Sequence, residues 1–352
     1  MKLKENGHVV DFLEHFKRKL DCRINCLKVE RCFRESFTGL VLGGEDGLVR
    51  VYDMTQLTQG NQPVNVLLET KGGPIQALAI HDITHFYKED IITGDSVGMV
   101  TIFCNEQILS RHSLSKSTIK CLQIYTDALG NCYIVVADDA GYIYAIQPSK
   151  QLWRININNV HTSRGPLERA SVTCMLCVPL PNGTGQLCSY ILAADDKRRL
   201  HVISQGDIVM TIHTPDTVTA MCCGLFIAEE KLEAGPDTFS HQHPVQVALG
   251  CTSGALYILQ NFTISEEEFG NAGCHISQML SHPAVNGKID YLLCAGHFSA
   301  LQVFLEGKQI GSYETPNWVN CMDILCPGKD QRPQIVFACL DNSVHGVSLA
   351  EG

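Results

Sequence analysis

Cysteine and histidine are the residues of this sequence that could hold a metal ion. Cys174 and Cys177 have the spacing of a zinc-ligand pair, but side chains three positions apart on a strand point to opposite faces. His241 and His243 have no further ligand close in sequence. Four cysteines share one position of a repeated phrase, which is typical of small buried side chains: Cys26, Cys121, Cys174 and Cys321. We therefore predict no metal site and no cofactor.

Sequence motifs typical of catalytic centres are the next feature to consider. The sequence contains no HExxH motif, no Walker loop and no GxGxxG motif opening a helix. Nothing in it therefore predicts a zinc hydrolase or a nucleotide-binding enzyme. The function that we expect is non-enzymatic.

Composition limits the remaining classes. The chain has 352 residues, 45% of them hydrophobic, and a formal net charge of -10, which fits a globular protein that repels nucleic acid and anionic lipid. The first 35 residues are mildly basic. Long apolar runs and a secretory signal are absent, and the 17 cysteines indicate a reducing compartment. We expect a cytoplasmic protein without an integral membrane segment.

A repeated hairpin must position all these side chains. In Leu40–Asp53 (LVLGGEDGLVRVYD), an apolar run, a glycine-containing turn and an alternating run predict two antiparallel strands. The phrase occurs seven times at intervals of 43–57 residues. Each copy can be aligned on a small residue: Gly43, Gly94, Ala137, Ala194, Gly250, Gly296 and Cys339.

Two further strands complete each repeat, one before the hairpin with a small residue (Cys or Ala) and a more variable one after it. Four antiparallel strands at this interval are typical of a β-propeller blade. We predict an all-β chain, a single seven-bladed β-propeller over residues 1–352. Its blades are expected at 22–70, 73–111, 116–157, 170–213, 216–262, 273–314, and 317–352 plus 8–20.

The segment at 8–20 is left over, while the seventh repeat lacks a fourth strand. Pairing the two would close the ring and remove an open sheet edge. Apolar residues of this segment also fit helical spacing, so a closing strand and a packed helix both remain open. Three long connections are expected to be loops: Asn158–Ala170, Phe226–Pro244 and Ile264–Gly273.

The turns between second and third strands and the connections between blades share one face in the usual blade geometry. We therefore predict a candidate interaction face with these residues: Glu45, Asp46, Asp95, Asp138, Asp139, Asp195, Asp196, Arg198, Arg199, Pro215, His297, Phe298, Trp318 and Asp341. Acidic residues are ordinary in turns. The alternative is an electronegative rim that binds a basic partner segment, with Trp318 as an anchor if it is exposed.

The seven-repeat pattern resembles the WD40-like propellers, although the diagnostic Gly-His and Trp-Asp pairs are missing. The family's Trp–Ser/Thr–His–Asp network therefore cannot be assigned to residues here. Leu200–Gly224, with Ile212–Asp216 (IHTPD) and Val218–Thr219 at its centre, looks like the propeller of a BBSome subunit linked to Bardet–Biedl syndrome. The resemblance implies a non-catalytic subunit of a membrane-traffic coat that engages an Arf-like GTPase.

Together these patterns predict a protein–protein interaction scaffold, a subunit of a multi-protein complex in membrane or ciliary trafficking. Its expected partners are other subunits and, by resemblance, a small GTPase. Two other classes stay open. A propeller hydrolase or lyase would need several titratable side chains converging at the channel mouth. A nucleic-acid-binding propeller would need a basic, aromatic face, which the net charge disfavours.

Overall fold

The chain is an all-β seven-bladed β-propeller with four antiparallel strands per blade, as the sequence predicts. The structure is a computed structural model. It describes residues 10–33, 37–61, 63–86, 88–127, 129–159, 169–228, 245–284, 289–325 and 332–351. Strands are numbered in chain order from β1 (Val10–Lys19). Two compact units are described separately: the N-terminal unit, Leu20–Thr219, and the C-terminal unit, Ala220–Gly352 with Met1–Lys19.

The N-terminal unit contains four sheets, each made of four consecutive antiparallel strands. Blade 1 comprises β2 (Ile24–Glu30), β3 (Gly39–Gly44), β4 (Leu48–Asp53) and β5 (Val66–Glu69). Blade 2 comprises β6 (Ile75–His81), β7 (Asp90–Asp95), β8 (Met99–Cys104) and β9 (Gln107–Ser113). Blade 3 comprises β10 (Ile119–Thr126), β11 (Cys132–Asp138), β12 (Tyr142–Gln147) and β13 (Lys150–Asn156). Blade 4 comprises β14 (Val172–Pro181), β15 (Leu187–Asp195), β16 (Arg199–Ser204) and β17 (Asp207–His213).

Two short helices in this unit were not predicted. Helix α1 (Met54–Thr58) follows β4, and Asp53 caps it by accepting a hydrogen bond from the N–H of Thr55 at 2.8 Å. A single 3₁₀ turn, Ile157–Asn159, follows β13. Both lie in connections, where a five-residue or three-residue helix leaves no periodic signal in the sequence.

The C-terminal unit contains three sheets. Blade 5 comprises β18 (Val218–Gly224), β19 (Gln246–Cys251), β20 (Ala255–Gln260), β21 (Thr263–Ile264) and β22 (Gly270–Asn271). Blade 6 comprises β23 (Ile276–Pro283), β24 (Asp290–Gly296), β25 (Phe298–Leu305) and β26 (Lys308–Glu314). Blade 7 comprises β27 (Val319–Leu325), β28 (Gln334–Cys339), β29 (Ser343–Glu351) and β1.

The N-terminal segment is a strand, not a helix. β1 pairs antiparallel with β29, from Val10 opposite Glu351 to Lys19 opposite Ser343. Buried Val10 and Phe16 lie on this strand, and Val10 belongs to the apolar core of blades 6 and 7. The closing strand is therefore the alternative that the structure supports, because pairing with β29 satisfies a sheet edge that a helix would leave open.

One predicted loop is wrong. The stretch Ile264–Gly273 was expected to connect two blades, but β21 and β22 both pair with β20 and fill the outer position of blade 5. Residues 265–269 (SEEEF) separate the two short strands, and their three glutamates carry little strand propensity. Of the other insertions, residues 160–168 and 229–244 lie outside the described residues, as do His241 and His243.

The inner strands carry a bulge at the same place, usually next to a small residue. In six blades the register shifts just before this position, which holds Cys or Ala in five of them; in blade 1 it is Cys26, which pairs with Gly43. A Cβ atom on Gly43 would lie 2.6 Å from Cys26 Sγ and 2.7 Å from Ile75 Cγ2 of the next blade. Small residues are therefore needed here because neighbouring sheets approach closely.

The register corrects the alignment of two repeats. The residues equivalent to Gly43 are Ala295 in blade 6 and Ala338 in blade 7, each one position before the predicted Gly296 and Cys339. The blade 6 inner strand, which showed no clear small residue, has Gln278 at that position. Its hairpin turn is also shorter, since Gly296 pairs directly with Phe298.

Candidate functional site

Three of the predicted face residues are buried and form their own turns. Asp95, Asp138 and Asp195 end the second strand of blades 2, 3 and 4 and are at most 2% exposed. In each, Oδ1 accepts hydrogen bonds of 2.8–3.1 Å from the backbone N–H groups two and four residues later. These carboxylates therefore stabilise the hairpin turns and do not face a partner.

Asp195 also anchors a buried network that the sequence analysis missed. Its Oδ2 lies 2.7 Å from Arg199 Nε and 3.0 Å from His201 Nε2, and His201 Nδ1 lies 3.2 Å from Thr211 Oγ1. Burial alone would raise the pKa of Asp195, but the hydrogen bond from His201 and the charge of Arg199 outweigh it and lower the pKa. The sequence held a signal for this network: a side chain that can hydrogen-bond lies six residues after the turn aspartate in both Asp195–His201 and Asp138–Tyr144. The Asp138 and Tyr144 side chains approach at 3.4 Å.

Exposed carboxylates of the N-terminal unit lie beside cationic side chains. The nearest charged atoms are 2.9 Å apart in Glu45–Arg23, 2.5 Å in Asp46–Arg50 and 3.9 Å in Asp196–Lys197. The hydrogen bond to Arg50 is the largest cause of the lowered pKa of Asp46. This surface is therefore one of mixed charge, in which acidic side chains are locally compensated.

The other predicted residues of this unit lie nearby in the chain. Arg198 is exposed with a φ of 58° and lies 4.0 Å from Asp216 Oδ1. Pro215 is exposed and Asp139 is half-buried. Arg199 is held by Asp195, as described above. None of these contacts identifies a ligand.

Blade 7 contains an Asp–Ser–His chain that invites comparison with a catalytic triad. Ser343 Oγ donates to Asp341 Oδ1 at 2.6 Å and lies 3.1 Å from His345 Nε2. A serine that donates to the aspartate can only accept from the imidazole, so His345 does not act as its base. Ser343 and His345 are at most 3% exposed. These hydrogen bonds among Asp341, Ser343 and His345 therefore stabilise blade 7.

Three rings form a column on the C-terminal unit, which we call the aromatic stack: half-buried His275 and exposed His297 and Trp318. The ring centroids of His275 and His297 are 4.1 Å apart with planes inclined by 18°, and those of His297 and Trp318 are 4.5 Å apart at 14°. His297 is exposed, and Trp318 is 40% exposed. Two predicted face residues, His297 and Trp318, are thus brought into contact.

Backbone geometry fixes the aromatic stack. His275 and Trp318 immediately precede β23 and β27, and His297 is the single residue between β24 and β25. The N–H of His297 donates to His275 O at 2.9 Å, and the N–H of Leu340 donates to Trp318 O at 3.0 Å. A Cβ on Gly296 would lie 1.9 Å from His275 O, so only glycine permits this approach.

Equivalent positions in the N-terminal unit carry different chemistry. The same backbone hydrogen bond joins Glu45 to Arg23, Ser96 to Pro74, Asp139 to Thr118 and Asp196 to Ser171. None of these pairs contains an aromatic ring, whereas blade 6 has two stacked imidazoles and blade 7 has Trp318 with Leu340, which is 53% exposed. An exposed apolar and aromatic surface that the fold does not require points to recognition.

Phe298 and Asp341 are not part of the aromatic stack. Phe298 is half-buried and packs against the core cluster that contains Phe226, Met279 and Phe304. Asp341 is half-buried and bonds to Ser343. Of the four predicted residues in this unit, the structure therefore joins two and turns the other two towards the blade.

Sequence motifs for catalysis gain no support from their surroundings. Gly94–Gly98 (GDSVG) has the letters of a nucleophile elbow, but an elbow needs a strand followed by a helix, and here β7 leads into β8. Within the described ranges, no three His, Cys, Asp or Glu side chains are grouped to hold a metal ion. In that same part of the chain, no helix has the length and apolar character to cross a bilayer.

Comparisons with known proteins recover the fold. No protein-family model matches this sequence, and no curated protein matches it. BBS1N in complex with ARL6DN, in a crystal soaked with mercury, is 14% identical with a TM-score of 0.69, covering 98% of both chains. The same complex soaked with lead gives 13% identity and a TM-score of 0.72 over 96% of this chain and 97% of the other.

The WD40 β-propeller domain of Doa1 is also similar, with 12% identity and a TM-score of 0.64 over 96% of this chain and 97% of that one. The predicted resemblance to WD40-like propellers and to a BBSome propeller is thereby confirmed for the fold. At these identities the likeness shows the fold alone.

Proposed function

We propose that this chain is a non-enzymatic interaction scaffold, a subunit of a multi-protein complex that binds a partner through the aromatic stack. The exposed stacking of His297 on Trp318 carries the proposal. Aromatic side chains at a rigid, exposed position bury a large area at low entropic cost, which is why they dominate binding hot spots. The β24–β25 hairpin and the backbone hydrogen bonds made by His275, His297 and Trp318 supply that rigidity.

Titratable groups favour binding over catalysis. The buried acids and histidines of blades 4 and 7 are engaged with their own turns and strands, as in Asp195–His201 and Ser343–His345. A catalytic acid or base needs a path to its substrate and a pKa near the working pH. Burial instead lowers the pKa of His345 to about 4.

The proposed setting is a cytoplasmic or cilium-associated assembly in membrane trafficking. This part of the proposal is supported by the local BBSome resemblance of Leu200–Gly224 and by BBS1N, whose crystals contain ARL6DN. A small GTPase is accordingly one proposed partner, together with other protein subunits. The net charge of -10 disfavours nucleic acid as a ligand.

Affinity purification of the intact chain tests the proposal. The wild type and the double variant His297→Ala, Trp318→Ala should be expressed at equal levels, and co-purifying proteins quantified. We expect stoichiometric partners with the wild type and at least tenfold less of them with the variant, the size of loss that hot-spot truncation causes.

Leu67→Ser is the matched control, because Leu67 is an exposed apolar residue, 58% accessible, on the outer strand of blade 1. It should retain the partners. Isolation of the wild type with no stoichiometric partner would overturn the scaffold function. Equal loss in both variants would overturn the assignment of the aromatic stack.

A further inference from the structure

A pocket at the outer side of the C-terminal unit lies apart from the aromatic stack. It has a volume of about 280 Å³ and lies where the outer strands of blade 5 meet a turn of blade 6. Its walls comprise apolar and acidic side chains together with one serine: Ile227, Ile258, Ser265, Glu267, Glu268, Phe269 and Glu306. No function described above uses these residues.

The apolar wall is held in place by a buried glutamine. Gln246 is fully buried, and its Oε1 accepts hydrogen bonds from the N–H groups of Phe226 and Ile227 at 2.7 and 2.9 Å. Its Nε2 donates to Ile227 O at 3.1 Å. Ile227 is thereby fixed at the pocket although it follows the end of β18.

Two glycines bring the opposite wall into contact. Gly307 has a φ of 80°, and a Cβ there would lie 1.8 Å from Phe269 O. A Cβ on Gly270 would lie 2.7 Å from Gly307 O. The turn that carries Glu306 therefore packs backbone to backbone against the segment that carries Phe269, so the pocket is a preformed feature of the fold.

The arrangement of its chemistry selects one class of occupant. Ile227, Ile258 and Phe269 provide an apolar surface, and three carboxylates stand beside it: those of Glu267, Glu268 and Glu306. Lysine and arginine place their methylene stems on apolar surface and keep their charged ends at a polar edge. Phe269 adds an aromatic ring to this wall, and aromatic rings attract guanidinium and ammonium groups.

We propose that this pocket binds a lysine- or arginine-containing segment of a partner protein. Charge complementarity carries the choice: the acidic side chains adjoin the apolar wall, and the whole chain has a net charge of -10. Glu268 already accepts a hydrogen bond from Asn271 at 3.0 Å, which orients one carboxylate while leaving it acceptor capacity. The site is separate from the aromatic stack and extends the scaffold function to a second contact.

A defined peptide tests the proposal on the intact chain. The probe is a fluorescein-labelled peptide, Gly-Leu-Arg-Lys-Leu-Arg-Gly, and its neutral counterpart has citrulline for arginine and norleucine for lysine. Fluorescence anisotropy should show at least tenfold tighter binding of the basic peptide. The double variant Glu267→Gln, Glu306→Gln should weaken that binding about tenfold, because two exposed charge contacts are lost.

The control is Glu30→Gln, Glu69→Gln, which changes the net charge by the same amount at two exposed positions of blade 1. It should bind the basic peptide like the wild type. Equal weakening in both double variants, equal affinity for both peptides, or no binding of the basic peptide at millimolar concentration would overturn the proposal.

Light scattering addresses a second copy of the chain as the occupant. A wild-type dimer that becomes a monomer in Glu267→Gln, Glu306→Gln would assign the pocket to self-association and overturn the proposal. A wild-type monomer that binds the basic peptide would support it. These results do not depend on the aromatic stack, so they separate this proposal from the scaffold experiment.

Discussion

The imidazole of His345 lies flat against the ring of Phe337, with centroids 4.9 Å apart and planes inclined by only 9°. The contact places a titratable ring fully inside blade 7. Burial is the main cause that lowers the pKa of His345 to about 4, and the charge of Lys17 contributes. The folded protein therefore holds this histidine neutral.

Stability should fall as the pH falls from about 6.5 to about 4. An unfolded histidine titrates near 6.5, so in this window the unfolded chain binds a proton that the folded protein rejects. The full effect is on the order of 3 kcal/mol. Urea denaturation at several pH values should show this slope in the wild type, and it should flatten in His345→Gln.

His213→Gln is the control, since His213 is exposed on β17. Its pH profile should follow that of the wild type. A wild-type slope that persists unchanged in His345→Gln would contradict the assignment.

Removing Asp195 should destabilise the protein strongly. Asp195→Ala leaves Arg199 and buried His201 without their carboxylate and removes the turn's two backbone hydrogen bonds. Breaking a buried charged pair costs about 3–5 kcal/mol. Chemical denaturation should show a loss of this size, whereas Asp207→Ala, at an exposed position of the same blade, should stay within about 0.5 kcal/mol of the wild type. Similar losses for the two variants would disprove the network's role.

Gly43→Ala should destabilise by about 1–3 kcal/mol, because the added methyl group would overlap Cys26 Sγ and Ile75. Gly183→Ala provides the contrast. Nothing lies within 4 Å of a Cβ at Gly183, so the variant should be neutral or up to about 1 kcal/mol more stable. Thermal unfolding of both variants checks this, and a neutral Gly43→Ala would mean that the blades are not closely packed there.

His297→Ala should expose the indole of Trp318. The sequence has two tryptophans, so a Trp153→Phe background isolates the fluorescence of Trp318. Acrylamide quenching of that fluorescence should increase when the imidazole is removed, and stability should fall by no more than about 1.5 kcal/mol, the usual limit for an aromatic pair. His213→Ala should leave quenching unchanged. Identical quenching in all three proteins would mean that the stack does not form in solution.

The fold was predictable because its signals are local. Alternation within strands and turn glycines such as Gly47, Gly98 and Gly141 repeat in the sequence, and these glycines have φ between 75° and 83°. The alignment was wrong by one residue in blade 7 and in blade 6, where the hairpin turn is shorter. There Gly296 resembled the repeat's small residue. Its position needs glycine for another reason, because a Cβ would lie 1.9 Å from His275 O.

The candidate site was predictable only in part. His297 and Trp318 were placed on one face from their positions in the repeat. Their stacking joins blade 6 to blade 7, and a contact between two repeats cannot be read from the sequence of either one. His275 was missed although it occupies in blade 6 the position of Trp318 in blade 7. The prediction of an acidic face assumed that Asp95 and Asp138 are exposed, but both carboxylates are buried and accept hydrogen bonds from their own turns. The pocket at the outer side of blade 5 was not predicted, because β21 and β22, which flank Glu267 and Phe269, are only two residues long.

Pairing of β1 with β29 has a consequence for biosynthesis. Val10 leaves the ribosome long before its partner Glu351 is synthesised. β1 therefore stays without its partner strand until β29 has been synthesised, and blade 7 can be completed only after that point. Because an unpaired strand edge is prone to aggregation, chaperones that shield β1 during this interval should raise the yield of folded protein.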